Sequence, residues 1–155
     1  SNVIMKSTRF LLVGCGTIGE RHAKLAAEKG VLVAVCDIDE KKTKAFSAKY
    51  DCYGYTSLQD MLRNEEADAL LVCTPNGLHA THSISGLKAG VHVLCEKPMA
   101  ISSVDCKRMI NAAATAKLII LFFIFFNSFV SNFSTYSFLC LYYTQPTRAK
   151  QRTNL

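Results

Sequence analysis

Short apolar runs alternate with longer polar stretches along the first 117 residues. The apolar runs predict strands at Arg9–Val13, Val31–Cys36, 52–55, 69–74 and 91–95. Helices are predicted between them at 18–29, 40–49 and His79–Lys88. Two Ser-x-x-Asp capping boxes, at Ser57 and Ser102, predict the start of two further helices, and the second of these helices extends to Ala116. Because strands that are apolar throughout need helices on both faces, this order predicts an α/β fold with a doubly wound parallel sheet.

The length and composition fit one globular domain. The chain has 155 residues, of which 50% are hydrophobic and 19% charged, and it is shorter than a two-domain enzyme of about 300 residues. Its seven cysteines are odd in number and form no Cys-x-x-Cys pair, so they predict neither a disulfide framework nor a metal site. The first apolar run ends at once in Gly14, unlike a signal peptide, and these features favour a cytoplasmic protein.

The net charge of +6 comes from the end of the chain. Residues 1–105 contain 12 basic and 12 acidic side chains, which cancel. Residues 106–155 contain no acidic residue and six basic ones: Lys107, Arg108, Lys117, Arg148, Lys150 and Arg152. A nucleic-acid-binding protein would present its basic residues on one face of a folded domain. We therefore expect no nucleic-acid partner.

The composition changes after Lys117. Residues 118–147 contain no charged side chain, and seven of the nine phenylalanines lie between residues 122 and 138. We interpret residues 118–155 as an anomalous tail produced by a frameshift or read-through, and residues 1–117 as the domain, which would extend to 123 if 118–123 forms a sixth strand. The alternative is a C-terminal membrane anchor. Seven Asn, Ser or Thr residues within 127–137 disfavour it, and we expect no membrane partner.

A glycine motif lies between the first strand and the first helix. Residues 14–19 read Gly-Cys-Gly-Thr-Ile-Gly, a G-x-G-x-x-G pattern in which glycines permit a tight turn and close approach of a pyrophosphate to the backbone. Asp37 ends the second strand, where a carboxylate can bind the hydroxyls of the adenosine ribose. Together they predict an NAD site, although Lys41 and Lys42 leave NADP open. The alternative is a glycine turn beside a solvated aspartate.

Two further motifs follow the fourth and fifth strands. The segment from Thr74 to His79 reads Thr-Pro-Asn-Gly-Leu-His, and Glu96 begins a Glu-Lys-Pro tripeptide at the same edge of the sheet, where such folds bind ligands. A lysine beside a carboxylate is a candidate for proton transfer. The alternatives are a turn in which Asn76 caps the next helix, and a surface ion pair before a proline. His22 and His82 lie on helices, and we assign them structural roles.

These motifs together resemble the Gfo/Idh/MocA family of NAD(P)-dependent sugar oxidoreductases. The similar strings are VGCGTIGERH, AVCDID, ALLVCTPNGLHATHSISGLKAGVHVLCEKPMA and SSVDCKRMINAAATA, and they look most like the branch that oxidises UDP-N-acetyl-glucosaminuronic acid at C3. The resemblance implies a Rossmann-type domain with Lys97 as the catalytic residue. It also implies that NAD is bound by Gly14, Cys15, Gly16, Thr17, Ile18, Gly19, Asp37, Thr74, Pro75, Asn76, His79, Glu96 and Lys97.

The chain also departs from the family pattern. The family has a second domain that forms the substrate pocket and supplies an Asp and a His, and nothing in residues 118–155 matches it. We therefore expect the NAD-binding half of a sugar or sugar-nucleotide dehydrogenase, truncated and inactive alone, whose intact parent forms homo-oligomers. The alternative is a non-catalytic NAD-binding module, anchored to a membrane by its tail.

Overall fold

Six parallel strands form the sheet at the centre of the domain. The structure is a computed structural model, and it describes residues 6–123 and 138–139. The strands are β1 (Arg9–Val13), β2 (Val31–Cys36), β3 (Tyr53–Tyr55), β4 (Ala69–Val72), β5 (His92–Cys95) and β6 (Ile120–Phe123), with a two-residue β7 (Phe138–Leu139) antiparallel to β6. Their order across the sheet is β3-β2-β1-β4-β5-β6-β7. The predicted doubly wound α/β fold is confirmed.

Five helices connect the parallel strands. They are α1 (Thr17–Lys29), α2 (Glu40–Tyr50), α3 (Leu58–Asn64), α4 (His79–Lys88) and α5 (Ser103–Ala116). Both predicted capping boxes form, since Ser57 Oγ accepts from the Asp60 amide at 3.3 Å and Ser102 Oγ from the Asp105 amide at 3.1 Å. The alternative interpretation of the Thr74–His79 motif, in which Asn76 caps the next helix, is wrong. Asn76 begins a 3₁₀ turn, and the cap position of α4 is Leu78.

The core lies on both faces of the sheet, because successive side chains along a strand point to opposite faces and both faces are buried. Leu11 and Val13 of β1 belong to a cluster with Met61 and Met109, from α3 and α5. Leu12, between them, joins the opposite cluster with residues of α1 and α2, namely Ala23, Ala26 and Phe46. Leu11, Leu12, Met61 and Met109 are all fully buried. This two-sided burial explains why the strands read as continuous apolar runs.

The strand order reverses at β1. The chain passes from β1 to β2 on one side, whereas β4 pairs with the other side of β1. The connections after β1 and β4 therefore leave the sheet in opposite directions, and they open a crevice at the carboxyl ends of the strands. Gly14 follows β1 and Thr74 follows β4 at this point.

The segment after Lys117 is described only in part. β6 forms within the predicted residues 118–123 and pairs in parallel with β5. No helix in residues 6–123 is long and apolar enough to cross a membrane. Apart from the two residues of β7, the rest of the tail, on which the frameshift and anchor interpretations depend, lies outside the described residues.

Candidate cofactor site

The three glycines of the turn have different surroundings. Gly14 has a φ of +101°, and a Cβ there would lie 2.5 Å from the carbonyl oxygen of Cys73. A Cβ at Gly19 would overlap the carbonyl oxygen of Gly14. By contrast, a Cβ at Gly16 meets no atom within 4 Å. The outer glycines thus allow the backbone to pack closely, and the middle one leaves open space before the first turn of α1, as approach of a phosphate requires.

Asp37 connects the glycine turn to the loop after β2. Its Oδ2 accepts a hydrogen bond from the Cys15 amide at 2.9 Å, and its Oδ1 accepts one from the Asp39 amide at 2.9 Å. Each carboxylate oxygen keeps a further lone pair, so Asp37 can also accept from a ribose hydroxyl. The carboxylate is therefore held in place by the same loop that would surround a nucleotide.

A cleft of about 850 Å³ lies between the glycine turn, the loop after β2 and the segment after β4. This volume is within the range of small-molecule sites. Seven predicted residues line it: Gly14, Gly16, Thr17, Ile18, Asp37, Thr74 and Pro75. The other six predicted residues, all within the described part of the chain, do not line this cleft: Cys15, Gly19, Asn76, His79, Glu96 and Lys97.

The wall near Asp37 combines apolar and charged side chains. Ile38 lines the cleft and is 94% exposed, so it offers an apolar surface that no described residue covers. Asp39 and Lys42 also line this end. Of the charged residues that line this end of the cleft, two are acidic, Asp37 and Asp39, and one is basic, Lys42.

The sequence analysis missed the position of His82. This side chain lines the cleft, and its Nδ1 lies 3.0 Å from the hydroxyl oxygen of Thr74. Burial lowers the pKa of His82, and the nearby charge of His79 lowers it further, which favours the neutral ring. The four-residue spacing from Leu78 was the available signal, because residues four apart on a helix share one face and Leu78 also lines the cleft.

His79 lies behind the cleft wall and is 1% exposed. Its Nε2 is 2.7 Å from the carbonyl oxygen of Thr74, and its Nδ1 is 2.7 Å from the carbonyl oxygen of Pro98. The ring therefore connects the segment that follows β4 with the segment that follows β5. His79 thus contacts the backbone behind the cleft wall and does not itself line the cleft.

Glu96 is buried and contacts helix α1. Its Oε1 lies 2.6 Å from His22 Nε2, and both side chains are 8% exposed. Its Oε2 accepts a hydrogen bond from the backbone amide of Lys97 at 3.2 Å. Burial acts to raise the pKa of Glu96, but the hydrogen bond and charge of His22, the Lys97 amide and the charge of His79 together outweigh it, so the pKa is lowered overall. Glu96 is thus held as a carboxylate between α1 and the Lys97 segment.

Lys97 is exposed at the carboxyl end of β5, on the same edge of the sheet as the glycine turn. It is followed by a cis peptide bond to Pro98.

The cysteines near this edge of the sheet are thiols inside the core. Burial, with the charge of Asp37 as a second cause, raises the pKa of Cys15 to about 12, and burial raises that of Cys95 to about 12. Neither is a reactive thiolate at neutral pH.

Nucleotides bind doubly wound sheets where the strand order reverses, and the glycine turn, Asp37 and the cleft all meet at that point. This arrangement is that of a dinucleotide-binding Rossmann domain. Residues 8–124 match the Gfo/Idh/MocA oxidoreductase family in its NAD-binding Rossmann fold. The chain therefore belongs to the Gfo/Idh/MocA family, and the resemblance inferred from its motifs is confirmed.

Similar proteins act on sugars and inositols. The structure resembles that of the WlbA dehydrogenase from Bordetella pertussis in complex with NADH and UDP-GlcNAcA, with a TM-score of 0.72 and 38% identity over 76% of this chain and 37% of that one. Inositol 2-dehydrogenase from Salmonella typhimurium is 34% identical over 65% of this chain and 32% of its own length. The NADP⁺-dependent scyllo-inositol 2-dehydrogenase IolU from Bacillus subtilis is 33% identical over 68% of this chain and 33% of its own length. The chain spans about a third of the length of these relatives.

Proposed function

We propose that this chain supplies the NAD-binding half of a sugar or sugar-nucleotide dehydrogenase. The observation that carries the proposal is the open space in front of Gly16 at the start of α1, beside a carboxylate fixed at the end of β2. A pyrophosphate would meet the backbone amides of the turn there, and Asp37 would accept the ribose hydroxyls. Four further predicted residues that line the cleft, Thr17, Ile18, Thr74 and Pro75, would contact the bound nucleotide.

Bound NAD would supply a nicotinamide ring that accepts a hydride from a sugar carbon. Lys97 stands at the same sheet edge, exposed, and would contact the hydroxyl that is oxidised and help to remove its proton. Glu96 would hold the backbone at Lys97 through its hydrogen bond to the Lys97 amide. The similarity to the WlbA dehydrogenase structure with NADH and UDP-GlcNAcA supports a sugar nucleotide as the substrate class.

Calorimetric titration of the 155-residue chain with NAD⁺, NADH and NADP⁺ tests the proposal. We expect saturable binding of NAD⁺ and NADH, and weaker binding of NADP⁺. If neither NAD⁺ nor NADH binds, the proposal is overturned. We also expect no NADH formation from UDP-N-acetyl-glucosaminuronic acid or simple sugars, because oxidation requires a pocket that holds the reacting carbon about 3–3.5 Å from the nicotinamide.

A turnover assay with Lys97→Ala completes the test. Turnover by the unmodified chain that disappears in Lys97→Ala would show that the chain itself, or a second copy of it, builds the pocket. Binding without turnover in either protein is also what a non-catalytic NAD-binding module predicts. Addition of a substrate domain from a relative separates the two, because only the proposed dehydrogenase half would then form NADH.

A further inference from the structure

The ring of His79 is placed between two acceptors. Its Nδ1 and Nε2 each lie 2.7 Å from a backbone carbonyl oxygen, those of Pro98 and Thr74. A carbonyl oxygen accepts hydrogen bonds and cannot donate them. A neutral imidazole carries one N–H and one bare nitrogen, so it would leave a lone pair facing a carbonyl oxygen. Both contacts are satisfied only when both nitrogens carry a proton.

A cationic ring needs a nearby countercharge, since this side chain is 1% exposed. Glu96, which follows β5, provides it. The charge of His79 is one of the causes that lower the pKa of Glu96. Two other titratable groups face this cluster. His82, on the same helix, has its pKa lowered by burial and by the charge of His79, and His22, on α1, contacts Glu96 directly.

The two acceptors are the carbonyl oxygens of Thr74 and Pro98. They belong to the segments that follow β4 and β5, at the carboxyl ends of the strands. Thr74 lines the cleft directly after β4, and Pro98 is bonded to Lys97 after β5. Resting on the function proposed above, we propose that His79 is a positioning residue. As an imidazolium it holds these two segments together, and it thereby sets the place of Lys97 relative to the cofactor cleft. It acts through the backbone and does not contact the cofactor.

Nitrogen NMR of the chain labelled with ¹⁵N-histidine tests the protonation directly. We expect both ring nitrogens of His79 to show protonated shifts at neutral pH. One bare nitrogen on His79 would overturn the proposal. This measurement needs no cofactor, so a failure of NAD binding would count against the proposed function and leave the result on His79 intact.

His79→Gln tests the effect on Lys97, with His92→Gln as the matched control. His92 is a half-buried residue of β5 whose Nδ1 accepts from the Ile119 amide, and it has no role in the cleft. We expect His79→Gln to shift the backbone amide signals of Lys97, because a glutamine amide carries its donors on one nitrogen and does not replace both hydrogen bonds of the ring. His92→Gln should leave these signals unchanged. Unchanged Lys97 signals in a folded His79→Gln chain would overturn the proposal.

A pH titration of the unmodified chain keeps the test decisive if His79→Gln does not fold. The signals of Lys97 must then change at the pH where the ring of His79 loses a proton. The rings of His22 and His82, followed in the same spectra, report the other titrations. If the Lys97 signals show no change with the ring of His79, even where they follow His22 through Glu96, His79 does not position Lys97.

Discussion

The imidazole of His22 and the carboxylate of Glu96 lie 2.6 Å apart, although 74 residues separate them in the sequence. The contact joins the helix that follows the glycine turn to the end of β5. Because Glu96 also accepts from the Lys97 amide, one carboxylate links helix α1, which follows the glycine turn, to the Lys97 segment, which follows β5. Neither the glycine motif nor the Glu-Lys-Pro motif predicts this contact by itself.

The state of this carboxylate predicts how stability depends on pH. Glu96 has a lowered pKa in the folded chain: burial acts to raise it, but the hydrogen bond and charge of His22, the Lys97 amide and the charge of His79 together lower it by more. A lowered pKa stabilises the folded state above the unfolded value of about 4.5, and this stabilisation is lost as the pH falls through the folded pKa. We expect Glu96→Gln to reduce the free energy of unfolding at pH 7 by about 1–3 kcal/mol, and the difference from the unmodified chain to shrink below pH 4.5.

Urea unfolding at pH 7, 5 and 4 measures this effect, with Glu66→Gln as the control. Glu66 is exposed, so its substitution should leave the free energy of unfolding nearly unchanged at each pH. A loss in Glu96→Gln that stays constant with pH would contradict the prediction.

Substitutions at two glycines of the turn should affect different properties, the stability of the fold for Gly19 and the binding of NAD⁺ for Gly16. Gly19→Ala places a methyl group on the carbonyl oxygen of Gly14, so we expect it to destabilise the fold by about 1–3 kcal/mol despite alanine's higher helix propensity. Gly16→Ala meets no atom within 4 Å, so we expect it to keep the stability within about 0.5 kcal/mol and to weaken NAD⁺ binding. Thermal unfolding and calorimetry of both variants check this, and equal losses of stability would refute it.

The carboxylate of Asp37 predicts the choice of cofactor. We expect the chain to prefer NAD(H) to NADP(H), because Asp37 and Asp39 repel a 2′-phosphate more than the single Lys42 attracts it. Asp37→Asn should weaken NAD⁺ binding about tenfold and narrow the preference, since hydrogen bonds to charged groups are the stronger ones. Asp51→Asn is the control, because Asp51 lies at the C-cap of α2 with a φ of 50°, which asparagine tolerates. Tighter binding of NADP⁺ than of NAD⁺ by the unmodified chain would contradict the expectation.

The cap of α5 predicts a local effect on stability. Ser102→Ala removes the oxygen that accepts from the Asp105 amide, so we expect a loss of about 1 kcal/mol. Ser103→Ala, one residue further on, changes an exposed side chain that caps nothing, and it should be neutral or slightly stabilising. Equal effects of the two substitutions in chemical unfolding would show that the cap contributes nothing.

Features that depend on neighbouring residues could be predicted from the sequence. The bounds of β1 and β2 follow from apolar runs, and the Ser57 and Ser102 caps follow from a spacing of three residues. The family was also predictable, because its glycine turn and its Glu-Lys-Pro segment are local motifs. The roles assigned to individual site residues stay predictions.

Contacts between distant segments could not be predicted in this way. The pairing of His22 with Glu96 depends on the register of β1, β4 and β5 and on where α1 packs, which periodicity does not specify. The two acceptors of His79 depend in the same way on where the turns after β4 and β5 lie relative to each other. The position of His82 on the cleft wall was missed because its four-residue spacing from Leu78 is informative only once Leu78 is known to line the cleft.

The hydrogen bond from the Cys15 amide to Asp37 has a consequence for how tightly a nucleotide can be bound. A glycine turn that becomes ordered only around its ligand must lose conformational entropy at each binding event. Here a carboxylate from the neighbouring strand already holds the turn, so that entropy is lost during folding and not during association. Such preorganisation strengthens nucleotide binding, because the cost of ordering the turn is not subtracted from the free energy of association.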